Sequence, residues 1–180
     1  MKNKLVVINV LGAPGTGKST IASGLFHEMK MKHYSVELVT EYAKDLVWEK
    51  RHKTLVDQLY ITAKQNHRIQ RLVGEVEFVI TDSPILLGLM YAPNGYYTKF
   101  HPLVWEVFNS YANINVFLNR VKPYVEKGRN QTEAESDAVS LEIEDMLTDN
   151  NIKFTKFDAD EKAIGKIIKE VEKIDSRYLK

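Results

Sequence analysis

Apolar stretches and amphipathic stretches alternate along the chain. Five stretches have the length of β-strands, and the first is apolar at almost every position, as expected of a central parallel strand buried on both faces. The fifth alternates apolar and polar positions, which favours an edge strand with one wet face. The predicted strands cover residues 5–10, 35–40, 78–81, 114–119 and 152–157.

Helical stretches separate these strands. TEAE at 132–135 is a capping box, and the helix that it opens carries Val139, Ile143 and Met146 on one face. Strands that alternate with helices predict an α/β fold with a parallel sheet. No linker or repeat divides the chain, so we expect a single domain over residues 1–180. The other predicted helices cover residues 18–32, 42–50, 54–73, 84–91 and 99–111, and a last one has Ile164, Ile167, Ile168 and Val171 on one face.

The segment GAPGTGKST lies between the first predicted strand and the first predicted helix. It matches the phosphate-binding pattern G-x-x-x-x-G-K-[ST] in the context that this pattern requires. Its backbone N–H groups and the helix N-terminus would face phosphate oxygens, Lys18 would reach the β- and γ-phosphates, and Ser19 would bind Mg²⁺. We therefore expect ATP to be bound by Gly12, Ala13, Pro14, Gly15, Thr16, Gly17, Lys18, Ser19 and Thr20.

Two carboxylates follow predicted strands, where parallel sheets place their ligands. Asp82 follows the third strand and has two candidate roles: a Mg²⁺ ligand, or the cap of a helix that begins near Pro84. Glu41 follows the second strand. It is a candidate catalytic base for an acceptor hydroxyl, and alternatively a cap or first-turn charge of the next helix.

A basic segment, residues 119–132, follows the fourth strand and has the character of a mobile lid. Its candidate catalytic residues are Arg120 and Arg129, which could neutralise the transferring phosphoryl group. The alternative is a solvated basic loop. The chain has no NKxD guanine-reading motif, and its 180 residues leave little room for the lid domain of a motor. These features favour a small P-loop kinase over a switch or a motor.

The acceptor side has weaker candidates. Gln58 and Gln65 are seven residues apart on one helical face, where an amide could read a base or nicotinamide, or satisfy backbone groups or water. Each of the other candidates also has a structural alternative, as a core aromatic, a solvated cation or part of a packed surface loop. These candidates are Tyr42, Lys44, Trp48 and Tyr91.

The composition is that of an ordinary folded protein, with 44% hydrophobic and 27% charged residues. Lys and Arg total 25 against 24 Asp and Glu, so no global field draws the chain to nucleic acid or membrane, although a local basic patch is compatible with this balance. There is no cysteine, which excludes disulfides and thiolate catalysis. No apolar run is long enough to span a bilayer, and we expect a cytoplasmic location.

Four segments carry a family resemblance: GAPGTGKST, VTEYAKDLVWE, VITDSP and NRVKPYVEKGRNQT. Together they resemble small P-loop proteins common in bacteriophages, usually labelled AAA-family ATPases. They are also similar to the nicotinamide riboside kinase domain of NadR and to phage kinases that phosphorylate 5-hydroxymethyluracil in DNA. One departure is Ser83, where deoxynucleoside kinases have an arginine after the third-strand acid.

The resemblance implies a three-layer P-loop NTPase fold of the kinase type. Its five-stranded parallel sheet would have the order 2-3-1-4-5 with helices on both faces, and Glu41 would occupy the position of the base. A phage-encoded protein of this kind would act in the cytoplasm of the host cell.

The combined expectation is a kinase that transfers the γ-phosphate of ATP to a hydroxyl of a nucleoside-type acceptor with Mg²⁺. The acceptor is left open between a free nucleoside, nicotinamide riboside and a 5-hydroxymethyl-pyrimidine in DNA. A further alternative is a nucleotide-switched ATPase or binding protein without a small acceptor. The sequence leaves the oligomeric state open.

Overall fold

A computed structural model of the chain describes residues 4–125 and 132–178. The strands are β1 Val6–Leu11, β2 Val36–Val39, β3 Phe78–Thr81, β4 Ala112–Asn119 and β5 Thr155–Asp158. The helices are α1 Lys18–Met31, α2 Tyr42–Trp48, α3 His52–Leu55, α4 Gln58–Gln70, α5 Leu87–Met90, α6 Phe100–Asn109, α7 Glu133–Asp149 and α8 Ala163–Tyr178.

The five strands form one sheet in the order β2-β3-β1-β4-β5, and every neighbouring pair is parallel. This confirms the expected order. In the register of the sheet, Val39 of β2 is paired with Thr81 of β3. The two strands therefore end at the same level, and Glu41 and Asp82 follow them at the same edge of the sheet.

The central strand β1 is buried at all six positions because helices cover both faces of the sheet. Val6, Ile8 and Val10 belong to a core shared with α1 and α8. Val7 and Leu11 point the other way, into a core shared with α4, α5, α6 and α7. The result is the predicted three-layer arrangement. At the edge, β5 alternates half-buried and exposed residues, as its sequence pattern indicated.

Three predicted elements differ most from the observed ones, and the others agree within about two residues at each end. The helix predicted over 54–73 is broken into α3 and α4, because the side chain of Asp57 accepts a hydrogen bond from the Tyr60 N–H (3.1 Å) and caps a new helix start. The helix predicted over 84–91 is reduced to α5, preceded by a turn at Pro84. The last strand begins at Thr155 and not at residue 152.

The helix α7 begins as predicted. Thr132 and Glu135 form a capping box, in which each side chain accepts a hydrogen bond from the backbone N–H of the other. Ile143 is fully buried, and Val139 and Met146 pack against the same core. Within the described residues, no helix is both long and apolar enough to cross a membrane.

Candidate active site

The glycine-rich loop between β1 and α1 has backbone angles that require glycine. Gly12 has a φ of +141°, and a Cβ there would lie 2.9 Å from Thr16 Oγ1 and 3.1 Å from the Leu118 carbonyl oxygen. Gly17, the residue before α1, has a φ of +95°. L-residues with side chains rarely adopt such angles, so glycine at these positions lets the chain turn tightly into the helix.

The Lys18 ammonium lies inside this loop. Lys18 Nζ donates hydrogen bonds to the carbonyl oxygens of Gly12 (2.8 Å) and Ala13 (3.0 Å). Thr16 Oγ1 also donates to the Ala13 carbonyl (2.9 Å) and braces the turn. Ser19 and Thr20 are exposed on the first turn of α1. The loop is thus preformed, with its cation and its first helical turn at one end of the central strand.

Ser136, on α7, contacts the glycine-rich loop, and the sequence did not predict it as a site residue. Its side chain is 1% exposed, and Ser136 Oγ donates a hydrogen bond to the Pro14 carbonyl oxygen (2.7 Å). The available signal was its position seven residues before Ile143, which places a small polar residue on the apolar face of α7. This contact ties the start of α7 to the phosphate-binding loop.

We expect Ser136→Ala to lower the free energy of unfolding by about 1–2 kcal/mol, because the variant leaves the part-buried Pro14 carbonyl without this donor. Urea denaturation measures the change. Ser140→Ala, one turn further along α7 and only half-buried, is the matched control and should change stability by less than about 0.5 kcal/mol. Equal effects of the two substitutions would contradict the bracing role.

Asp82 follows β3 and is 6% exposed. Its carboxyl does not cap a helix at Pro84, since the next helix, α5, begins only at Leu87. Burial raises the pKa of Asp82, against the opposing effects of the Lys18 ammonium and of the backbone N–H groups of Asp82 and Glu41. Asp82 Oδ1 has no hydrogen-bond partner among the described residues.

An unpartnered buried carboxylate oxygen fits a Mg²⁺ ligand. Mg²⁺ binds one or two protein oxygens and completes its octahedron with water and phosphate oxygens. Asp82 and the exposed hydroxyl of Ser19 would be the protein ligands. Within residues 4–125 and 132–173, no cluster of three acidic, histidine or cysteine side chains could hold a metal ion.

We expect Asp82→Asn to raise the melting temperature of the ligand-free protein at neutral pH. The raised pKa of Asp82 means that its charged form is disfavoured in the fold, so this destabilisation grows as pH rises through that pKa and disappears at lower pH. Each kcal/mol that the variant gains in free energy of unfolding should raise its melting temperature by about 2–4 °C. The same variant should lose the Mg²⁺-dependent part of the stabilisation by ATP, measured by thermal shift. Full Mg²⁺-dependent stabilisation in the variant would contradict the ligand role.

Glu41 occupies the N-cap position of α2, but its side chain makes no capping hydrogen bond. Its carboxylate is therefore available for other chemistry. Burial raises the pKa of Glu41, the Lys18 ammonium opposes this, and the Asp82 carboxylate adds to it. The parallel strands β1, β2 and β3 end at one edge of the sheet, so Lys18, Glu41 and Asp82, which follow these strands, form one electrostatic cluster there.

The substrate candidates on α2 lie in different surroundings. Tyr42 forms a hydroxyl–hydroxyl hydrogen bond with Tyr60 (3.0 Å), and its ring lies beneath the Arg68 guanidinium at 5.1 Å. Trp48, at the far end of α2, is 65% exposed. Lys44 is exposed on the first turn of the same helix, and its charge lowers the pKa of Glu41. Tyr42 and Lys44 are thus near the cluster, and the substrate role of each stays a prediction.

Gln58 and Gln65 are both buried on α4, and their amides bond within the protein. Gln58 Nε2 donates to the Leu55 carbonyl oxygen (2.7 Å). The Gln65 amide bonds to the Tyr42 N–H, the Thr40 carbonyl and the Thr81 hydroxyl. These contacts are those of the structural alternative considered from the sequence.

Tyr91 follows α5 as its C-cap residue and is 40% exposed. Burial and, next in size, the Glu41 carboxylate raise the pKa of Tyr91 to about 12, with smaller effects from Glu142 and Tyr124. Like an ordinary tyrosine hydroxyl, the Tyr91 hydroxyl is protonated at physiological pH and can donate a hydrogen bond.

Arg120 lies at the start of the lid segment and is bound by acids of α7. Its guanidinium lies 3.1 Å from Glu133 Oε1, contacts Asp137 directly, and stacks over the Tyr124 ring at 5.2 Å. A contact with a phosphoryl group would require exchange of these ion pairs. Arg129 lies outside the described residues.

Residues 7–162 match the AAA_28 family, described as an AAA domain. The chain belongs to this family. The match covers both carboxylates, the glycine-rich loop and the basic segment 119–132. It confirms the resemblance to AAA-labelled small P-loop proteins. No curated protein sequence matches the chain.

Solved structures of kinases share the fold of this AAA_28 domain. NadR in complex with NR has a TM-score of 0.64 at 17% identity, over 89% of this chain and 47% of the NadR chain. Deoxyadenosine kinase from M. mycoides, with dCMP and a flexible dCDP bound, has a TM-score of 0.58 at 16% identity, over 93% and 99%. Thymidylate kinase from Ehrlichia chaffeensis has a TM-score of 0.57 at 17% identity, over 95% and 98%.

Proposed function

We propose that this AAA_28 domain is an ATP- and Mg²⁺-dependent kinase that phosphorylates a hydroxyl of a nucleoside-type acceptor. The observation that carries the proposal is the position of Glu41, a carboxylate without a capping bond, in one cluster with Lys18 and Asp82. A nucleotide switch needs the phosphate loop and a metal ligand. Transfer to a hydroxyl also needs a carboxylate beside the attacking oxygen, and the half-buried Glu41 is the candidate.

The proposed reaction assigns one role to each group. Glu41 accepts the proton of the acceptor hydroxyl as its oxygen attacks the γ-phosphorus. The bond between the γ-phosphorus and the bridging oxygen breaks, and ADP leaves. Lys18 and the loop N–H groups hold the β- and γ-phosphates in line with the acceptor. Ser19 and Asp82 would bind Mg²⁺, which neutralises charge on the phosphate oxygens when it is present.

The structural relatives support the class of acceptor. Their names refer to deoxyadenosine, thymidylate and NR, which are all nucleoside or nucleotide compounds. In this chain, the Glu41 carboxylate and Tyr124 both raise the pKa of Tyr91, so a carboxylate and two aromatic side chains are neighbours. Aromatic side chains and a carboxylate suit an acceptor with a flat base and a ribose hydroxyl.

Incubation of the protein with γ-labelled ATP and Mg²⁺ tests the proposal. Four acceptor sets should be compared: the common ribo- and deoxyribonucleosides, nicotinamide riboside, 5-hydroxymethyldeoxyuridine, and duplex DNA containing 5-hydroxymethyluracil. Label transferred to a nucleoside or riboside supports the proposal, and label only in the DNA would identify the DNA-modifying alternative. Hydrolysis of ATP without transfer of label to any of the acceptors would overturn the kinase assignment in favour of a nucleotide-switched ATPase.

A further inference from the structure

A buried amide on α4 connects the two strand ends that carry Glu41 and Asp82. Gln65 is 3% exposed and lies on the helix face that also buries Ile61 and Ile69. Gln65 Oε1 accepts a hydrogen bond from the Tyr42 N–H (3.0 Å), and Gln65 Nε2 donates to the Thr40 carbonyl oxygen (3.4 Å). The amide therefore holds the residue before Glu41 and the residue after it.

The same amide reaches the neighbouring strand end. Gln65 Nε2 also donates to Thr81 Oγ1 (3.2 Å), and Thr81 has no exposed surface. Thr81 Oγ1 in turn accepts a hydrogen bond from the Ser83 N–H (3.1 Å). Thr81 and Ser83 are the residues on either side of Asp82. One side chain thus links the backbone that flanks Glu41 to the backbone that flanks Asp82.

We propose that Gln65, acting through Thr81, is a positioning residue that fixes Glu41 relative to Asp82 and its phosphate-loop partners. It contacts neither nucleotide nor acceptor. The inference rests on the proposed function, because it assigns Gln65 a part in placing the base of that reaction. Glutamine suits the position because its amide supplies one acceptor and two donors in a plane. A glutamate at this position would lose both donors, and a methionine would lose every hydrogen bond.

The positioning role differs from a role in reading the acceptor. A reader must offer free polar atoms to the ligand, whereas both polar atoms of Gln65 bond to Thr40, Tyr42 and Thr81. Loss of a residue that binds the acceptor raises the KM of the acceptor. Loss of a positioning residue lowers kcat, because a displacement of about 1 Å at the reacting groups can cost on the order of a hundredfold in rate.

The test compares four variants with one control. Gln65→Met and Thr81→Val remove the linkage, Gln65→Glu keeps its shape without the donors, and Thr81→Ser keeps the hydroxyl. Thr62→Val is the control: it lies on α4, is 9% exposed, and removes a hydroxyl that has no partner among the described residues. Transfer is measured from γ-labelled ATP to the acceptor that receives label in the comparison described above.

Gln65→Met, Gln65→Glu and Thr81→Val should each lower kcat by about 10–100-fold, while the KM of the acceptor and the Kd of ATP stay within about threefold. Thr81→Ser should retain most of the activity, and Thr62→Val should match the wild type. Unchanged kcat in the three disrupting variants overturns the proposal. So does an equal loss in Thr62→Val, or a raised KM with intact kcat. If Gln65→Met does not fold, the Thr81→Val and Thr81→Ser pair decides the question.

Amide hydrogen exchange provides a readout that needs no kinase activity. Loss of the linkage should speed exchange of the Tyr42 amide in Gln65→Met and of the Ser83 amide in Thr81→Val by about tenfold. A wild type that transfers no label would overturn the proposed function. In that case, unchanged exchange at both amides would overturn the linkage as well, and faster exchange would retain it as a brace between the two strand ends.

Discussion

Replacement of Lys18 by alanine should abolish turnover. In the ligand-free protein, the Lys18 ammonium donates to the carbonyl oxygens of Gly12 and Ala13, so it is already held over the loop. Phosphate oxygens can take over these hydrogen bonds with little movement of the side chain. Loss of one preorganised cation at the transferring phosphoryl group should lower kcat by at least about 10²–10³-fold and weaken ATP binding.

The measurement is steady-state transfer of label from γ-labelled ATP, with ATP affinity from calorimetry. Lys30→Ala is the matched control, since Lys30 lies on the same helix, forms a surface ion pair with Glu37 and lies over the Phe26 ring, away from the loop. That substitution should cost less than about 1 kcal/mol of stability and leave turnover intact. Retained activity in Lys18→Ala would exclude the phosphate-loop assignment and the kinase reaction that depends on it.

Much of the fold could be predicted from periodicity, because each element buries its apolar residues in a regular pattern. The near-continuous apolar run of β1 is buried at every position, and the capping box starts α7 where the sequence places it. The break between α3 and α4 escaped prediction for a physical reason. Apolar residues continue through Leu55 and Val56, so the pattern masks the cap that Asp57 supplies.

The candidate site also has residues that the sequence could predict and residues that it could not. The phosphate loop is contiguous in sequence, and strand ends locate Glu41 and Asp82, so local patterns suffice for both. The roles of Gln65 and Ser136 depend on backbone atoms of distant segments, and backbone atoms leave no signature in the sequence. The ion pairs of Arg120 join the end of β4 to the first turns of α7, and the sequence does not specify how these two segments approach each other.

Replacement of Glu41 by glutamine should separate nucleotide binding from transfer. The variant keeps the shape of the side chain but cannot accept the proton of the acceptor hydroxyl. General-base catalysis typically contributes about 10²–10⁴-fold, so kcat should fall by that range while the Kd of ATP is retained. Glu37→Gln is the matched control, because Glu37 lies four residues earlier on β2 and faces solvent in an ion pair with Lys30. Wild-type kcat in Glu41→Gln would exclude Glu41 as the base.

The pH dependence gives an independent check on the same residue. Burial raises the pKa of Glu41, and a base acts only when deprotonated, so the rate should rise with pH through a value above that of an ordinary glutamate. Glu41→Gln should lack this limb. Because the raised pKa also means that the charged form is disfavoured in the fold, the wild type loses stability as pH rises through that value. The variant should therefore melt at a higher temperature than the wild type at neutral pH, and this advantage should vanish in acid. If Glu41 is the base, its buried environment supports activity and lowers stability. Glu41→Gln should then both lose the pH-dependent rise in rate and gain melting temperature at neutral pH.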